Sequence, residues 1–122
     1  TEYEGEIFSK FCSYGFVTSR TWNSTYLVIR DSCLRLYDSK DTAEREPNNF
    51  VLELWLKEYK YGASIVKAKN YSQVEFKELM IHCVYLEVSN GFWAATRVLK
   101  IGAFDKRVIQ KIREAIVVLS ES

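Results

Sequence analysis

The sequence predicts an α+β domain that is mainly β: seven antiparallel strands in a sandwich of two near-orthogonal sheets or a partly open barrel, closed by one C-terminal α-helix. Three observations predict it. Residues 3–103 are a series of short runs of β-branched and aromatic residues broken by turn chemistry. Only residues 104–122 carry a sustained helical period: Val108, Ile109, Ile112, Ala115, Ile116 and Leu119 fall on one side, while Lys106, Arg107, Gln110, Lys111, Arg113 and Glu114 fill the other. The connections are mostly short, so consecutive strands pair with each other, and a lone helix must bury its stripe against them.

Composition bounds the rest. A chain of 122 residues with 48% hydrophobic and 15% aromatic side chains is one domain, 1–122, able to bury a core without disulfides or metal. Seventeen basic against sixteen acidic residues leave a net charge of +1, so no global field favours nucleic acid or an anionic membrane, and any electrostatic site must be local. Cys12, Cys33 and Cys83 are odd in number and far apart, without the paired spacing that zinc requires. They read as free thiols in a reducing, cytoplasmic compartment, and no cofactor is expected. There is no secretory segment and no apolar run of transmembrane length. Because the chain opens at Thr1 without an initiator Met, it reads as an excised domain whose targeting or lipidated segment would lie upstream.

Each element follows in order. Residues 3–12, with Ile7, Phe8 and Phe11, form the first strand, and residues 13–20 a loop. Residues 22–30 contain Tyr26-Leu27-Val28-Ile29, a second strand, and Arg30-Asp31-Ser32 is a tight turn into residues 33–38, where Leu34 and Leu36 alternate with Cys33, Arg35 and Tyr37. Residues 39–49 are polar, hold the only proline, Pro47, and read as a surface loop. Residues 50–56 alternate, with Leu52, Leu54 and Leu56 inward and Val51, Glu53 and Trp55 outward. Residues 57–62 are a turn, 63–69 a weaker strand, and 70–79 either a loop or a short helical turn. Residues 80–88 are the longest β-run, Asn90-Gly91 is a turn signal, and 96–103 the last strand. Asp105 is placed to cap the helix.

Several of these stretches together resemble the pleckstrin-homology (PH) family. They are Glu4-Gly5 in the first strand, the strand start at Trp22, Tyr26-Leu27-Val28-Ile29, Cys33-Leu34-Arg35-Leu36-Tyr37, and the helix from Val108 to Ile116. The resemblance covers the whole chain in element order and implies a PH-like fold. It departs from the family at two places. Members usually carry a Trp in the closing helix that packs into the barrel mouth, and here the apolar register puts Val108 there. Phosphoinositide-binding members also carry a first-strand lysine and a basic-x-arginine element at the start of the second strand. Lys10 matches the former, but the latter positions read Asn23-Ser24-Thr25. Hydroxyls and an amide hydrogen-bond phosphate without supplying charge to offset its desolvation. The lipid-binding candidates are therefore Lys10, Arg20, Asn23, Thr25 and Arg35, a weakened set, and Lys10 and Arg20 are equally well read as solvated strand-end charges.

The protein-contact candidates are aromatic: Trp55, Tyr59 and Tyr61 near one turn, and Phe92 and Trp93 after Asn90-Gly91. Each is either tucked into the core or left out as an anchor. His82, within the longest β-run, reads as a hydrogen-bonded core or interface residue. No nucleophile elbow and no glycine-rich phosphate loop is present, so no catalysis is expected. The expected function is a non-enzymatic module binding a protein partner at a membrane-associated scaffold, without tight phosphoinositide binding. The alternative is a membrane-targeting domain for anionic lipid, phosphoinositide or phosphatidic acid. In its size and missing basic ligands the chain is also similar to the small, N-terminally acylated inner-membrane-complex sub-compartment proteins of apicomplexan parasites, in which acyl chains hold the membrane and the PH-like domain serves protein contacts.

Overall fold

The computed structural model describes residues 2–13, 16–17, 22–55, 64–68, 72–76, 79–90 and 97–121. The strands are β1 (Tyr3–Ser13), β2 (Phe16–Val17), β3 (Asn23–Arg30), β4 (Cys33–Tyr37), β5 (Leu52–Trp55), β6 (Ser64–Ala68), β7 (Ser72–Phe76), β8 (Leu79–Asn90) and β9 (Arg97–Ala103). A short helix α1 (Lys40–Arg45) lies between β4 and β5, and α2 (Lys106–Glu121) closes the chain. All strands pair antiparallel in one sheet of order β5-β4-β3-β1-β9-β8-β6, with β2 pairing β1 and β7 pairing β8 off this path. The sheet curls into a half-barrel with α2 packed against it.

Five expectations are corrected. Residues 13–20, read as a loop, hold β2, which pairs with β1 at Cys12↔Val17 and Ser13↔Phe16. Among the described residues there are nine strand segments rather than seven, and of the two expected forms they take the partly open barrel, one continuous curled sheet rather than two stacked ones, because β1 runs long enough to pair β3 along one half and β9 along the other. Residues 70–79, read as loop or helical turn, contain β7, which pairs with β8 from Ser72↔Cys83 to Phe76↔Leu79. The polar side chains there conceal a strand because its ladder is supplied by the apolar β8. Between Ala68↔Leu86 and Ser72↔Cys83 there are three residues on one side and two on the other, so β6 and β7 occupy the same edge of β8 with a one-residue register shift. Residues 39–49, read as a loop, hold α1. Its N-cap Ser39 accepts from the Thr42 amide at 3.2 Å, and Arg45 pairs with Asp41 one turn back at 3.0 Å. A single turn and a half with no buried residue carries too short a period to stand out in sequence.

The concave face gathers the core. Leu27, Ile29, Leu34, Val84, Leu86, Leu99 and Ile101 are fully enclosed there. Ile109, Ile112 and Ile116 of α2 drop into this bowl, each fully buried and each contributing about 2 kcal/mol of apolar burial. Val108, the residue expected to plug the mouth, is only half-buried at the edge of the core, so the three isoleucines do that work. Asp105 caps the helix as expected: its Oδ1 accepts from the Arg107 amide at 2.9 Å. Hydrogen bonding from that amide and from the Arg107 side chain holds the Asp105 carboxyl below its ordinary pKa. Among the described residues one polar side chain enters the core region. Ser9, 7% exposed, is satisfied by Thr25, hydroxyl to hydroxyl at 3.0 Å.

Candidate functional site

The convex face of the β1-β3-β4-β5 half is also partly covered, and that cover shapes the site. Tyr26 and Tyr37 lie opposite each other in the β3-β4 ladder and point outward, yet both are buried. They are buried because the chain after β4 folds back over them. The Tyr37 hydroxyl donates to the Pro47 carbonyl at 2.7 Å, and Arg35 Nη1 donates to the same oxygen at 3.2 Å. Burial, and then hydrogen bonding and charge from Glu4, raise the Tyr26 phenol above its ordinary pKa. In β4 the alternation read from sequence is real, but its outward members Cys33 and Tyr37 are enclosed, leaving Arg35 half-exposed between them.

Arg35 is fully engaged. Its Nε donates to Glu53 Oε2 at 2.8 Å, and its guanidinium lies 5.1 Å from the centre of the Phe50 ring. Hydrogen bonding with Tyr37, and then with Glu53, raises its pKa further above an already high value. Beside this strut a groove of about 630 Å³ opens along the convex face, between the strands and α1. Val28, Cys33 and Trp55 contribute its apolar surface, Tyr37 and Pro47 its wall, and Glu4, Asp31 and Glu44 its acidic margin. Burial raises the Cys33 thiol above its ordinary pKa, which keeps it protonated. A volume of this size takes several side chains of a bound segment.

The lipid-binding candidates do not converge. Lys10 projects from the convex face near the far end of β1, directly opposite Lys100, whose ammonium lies 5.1 Å from the Tyr85 ring centre. Thr25 is committed to Ser9 on the concave side, and Asn23 pairs with Ser9 in the same ladder. Arg35 stands opposite Val28, which in turn stands opposite Glu4, six residues along β1 from Lys10 and hence about 20 Å away. Arg20 lies outside the described residues, as do Tyr59, Tyr61, Phe92 and Trp93. Of the aromatic candidates Trp55 is described, half-buried on the groove.

His82 is half-buried on β8, opposite Gln73 and Ala103. Among the described residues no three His, Cys, Asp or Glu side chains gather as a metal site, and no helix is long and apolar enough to cross a membrane. A shallower depression of about 460 Å³ lies on the solvent side of α2 among Lys106, Gln110, Arg113 and Glu114. Sequence reasoning missed the groove because α1 and the fold-back over Tyr26 and Tyr37 create it. The outward alternation of Arg35 with Cys33 and Tyr37 was its one visible sign. No protein-family model and no curated protein matches this chain.

Proposed function

We propose that this chain is a non-enzymatic, PH-like interaction module that binds a protein partner at a membrane-associated scaffold and does not bind phosphoinositide tightly. The observation that carries the reading is the convex groove of about 630 Å³, with Trp55 and Val28 accessible in it beside a rigid Arg35–Glu53 strut. Aromatic surface held in a preformed concavity is the usual material of a polypeptide contact. The half-barrel with its closing helix is compatible with a PH-like fold. The dispersal of Lys10, Thr25 and Arg35 over the sheet supports the second half of the proposal, since an inositol phosphate needs several converging cations.

One observation favours the anionic-lipid reading instead. Lys10 and Lys100 stand opposite each other across β1 and β9, two neighbouring cations on the convex face that an anionic headgroup could engage together. Co-sedimentation with vesicles containing phosphoinositides or phosphatidic acid, at low and high salt, separates the two readings. The interaction-module reading expects no salt-sensitive pelleting of the folded domain. Pelleting that Lys10→Ala and Arg20→Ala both weaken would replace it with the lipid reading.

A further inference from the structure

We infer that the convex groove receives a lysine- or arginine-bearing segment of the partner protein. The inference rests on the interaction-module reading and adds the chemistry of the occupant. The groove combines apolar surface for an aliphatic stem with carboxylates for its cationic head. Val28 and Trp55 supply the first. Glu4, Asp31 and Glu44 line the margin.

Their existing ion pairs are weak, although Glu4 also takes a hydrogen bond from the Tyr26 phenol. Glu4 and Glu2 reach Arg30 only at 3.9 and 4.0 Å through exposed side chains, and Glu44 reaches Lys40 at 3.9 Å. Such pairs contribute at most about 1 kcal/mol and yield readily to a competing cation. Asp31 has no ion pair among the described residues and stands on a two-residue turn whose backbone is fixed at positive φ. Arg35, by contrast, is fully committed to Glu53, Pro47 and Phe50, so it neither repels an incoming cation strongly nor is free to bind an anion.

Among the described residues the charges lining the groove are Glu4, Asp31 and Glu44 against Arg30 and Arg35, an excess of one negative charge, or two when Glu53, which pairs with Arg35, is included, on a chain whose net charge is +1. The local field thus opposes the sign of the whole molecule. Complementarity of this kind selects a basic partner and steers its approach.

The test is a heteronuclear NMR titration of the whole chain with three capped peptides, of alternating lysine and alanine, glutamine and alanine, and glutamate and alanine. The lysine peptide is expected to shift the amides of Val28, Cys33 and Tyr37 and the Trp55 indole. Combining Glu44→Lys with Glu4→Gln is expected to weaken it about tenfold at low salt, the effect of two exposed charge contacts. Glu44 is exposed, so Glu44→Lys alone keeps the experiment interpretable should Glu4→Gln disturb Tyr26. Equal shifts from the glutamine peptide, stronger ones from the glutamate peptide, or no loss in the variants would overturn the basic-segment inference while leaving the groove a polypeptide site. If none of the three peptides moves the groove resonances and phosphoinositide vesicles shift Lys10 and Lys100 instead, this inference and the interaction-module reading fall together.

Discussion

Gly102 sits where three strands meet, opposite Phe8 on β1 and Cys83 on β8, with the Trp22 ring lying across it on the convex side. A Cβ placed there would approach Ile81 Cδ1 to 2.7 Å and Trp22 Cζ3 to 3.1 Å, and Ile81 is fully buried with nowhere to retreat. Gly102→Ala is therefore expected to destabilise by about 1–3 kcal/mol, read as a lower urea midpoint and a changed Trp fluorescence. Gly5 is the control. A Cβ there meets the Tyr3 hydroxyl at 2.7 Å, but Tyr3 is only half-buried and its ring can swing outward, so Gly5→Ala should cost less. An equal loss at both positions would show that enclosure by Ile81 and Trp22 is not what demands glycine at 102. Neither requirement was visible in sequence, since a glycine in a strand run states only that something comes close.

At the level of elements, the β3-β4 hairpin is joined by a tight turn whose two loop residues are both described. Arg30↔Cys33 closes a two-residue loop in which Asp31 and Ser32 both have positive φ, 53° and 63°. That geometry matches the twist of the strands but disfavours side chains other than Asn, Asp and Gly. Asp31→Asn combined with Ser32→Gly should relieve about 1 kcal/mol and raise the melting temperature by about 4 °C, measured by circular dichroism. An unchanged or lower temperature would mean that the Asp31 carboxylate contributes a contact worth as much as the strain. The turn itself was legible, because Arg30-Asp31-Ser32 separates a run rich in β-formers from an alternating one. Helix α1 was not legible, because a helix with no buried residue leaves no apolar period, and its caps and ion pairs sit in a composition that reads equally well as loop.

For the whole molecule, enclosure of both faces of the sheet makes stability depend on alkaline pH. Cys83 is fully buried on β8, and burial pushes its thiol up to about 12 from an ordinary value of 9.0. A group whose folded pKa is raised contributes stability that is fully present below its unfolded value and is lost as pH rises toward the folded one. Stability should therefore fall progressively between pH 9 and about 12, since the unfolded chain ionises first. Cys83→Ala should flatten that limb in urea melts taken from pH 8.5 upward, whatever it costs at neutral pH. Cys33, raised in the same direction by burial, and the tyrosines Tyr3 and Tyr26 leave a residual slope. A limb of the same steepness in the variant would assign the effect to them.

The sequence by itself determined the mainly β class, the C-terminal helix with its Asp105 cap, the hairpin at Asp31-Ser32 and the inward Leu34, Leu36, Leu52 and Leu54, Leu56 lying outside the described residues, because each is written in local periodicity or turn chemistry over a few neighbouring residues. It also determined that no dense set of cations stands at residues 23–25. Only the tertiary structure decided that the strands form a single curled sheet, that β7 completes the edge of β8, and that Ile109, Ile112 and Ile116 rather than Val108 fill the bowl. It alone placed Arg35 far from Lys10 and locked it to Glu53. The physical reason is the same in each case: strand pairing, the cover over Tyr26 and Tyr37, and the groove beside them arise from contacts between residues distant in the chain, which no local pattern records.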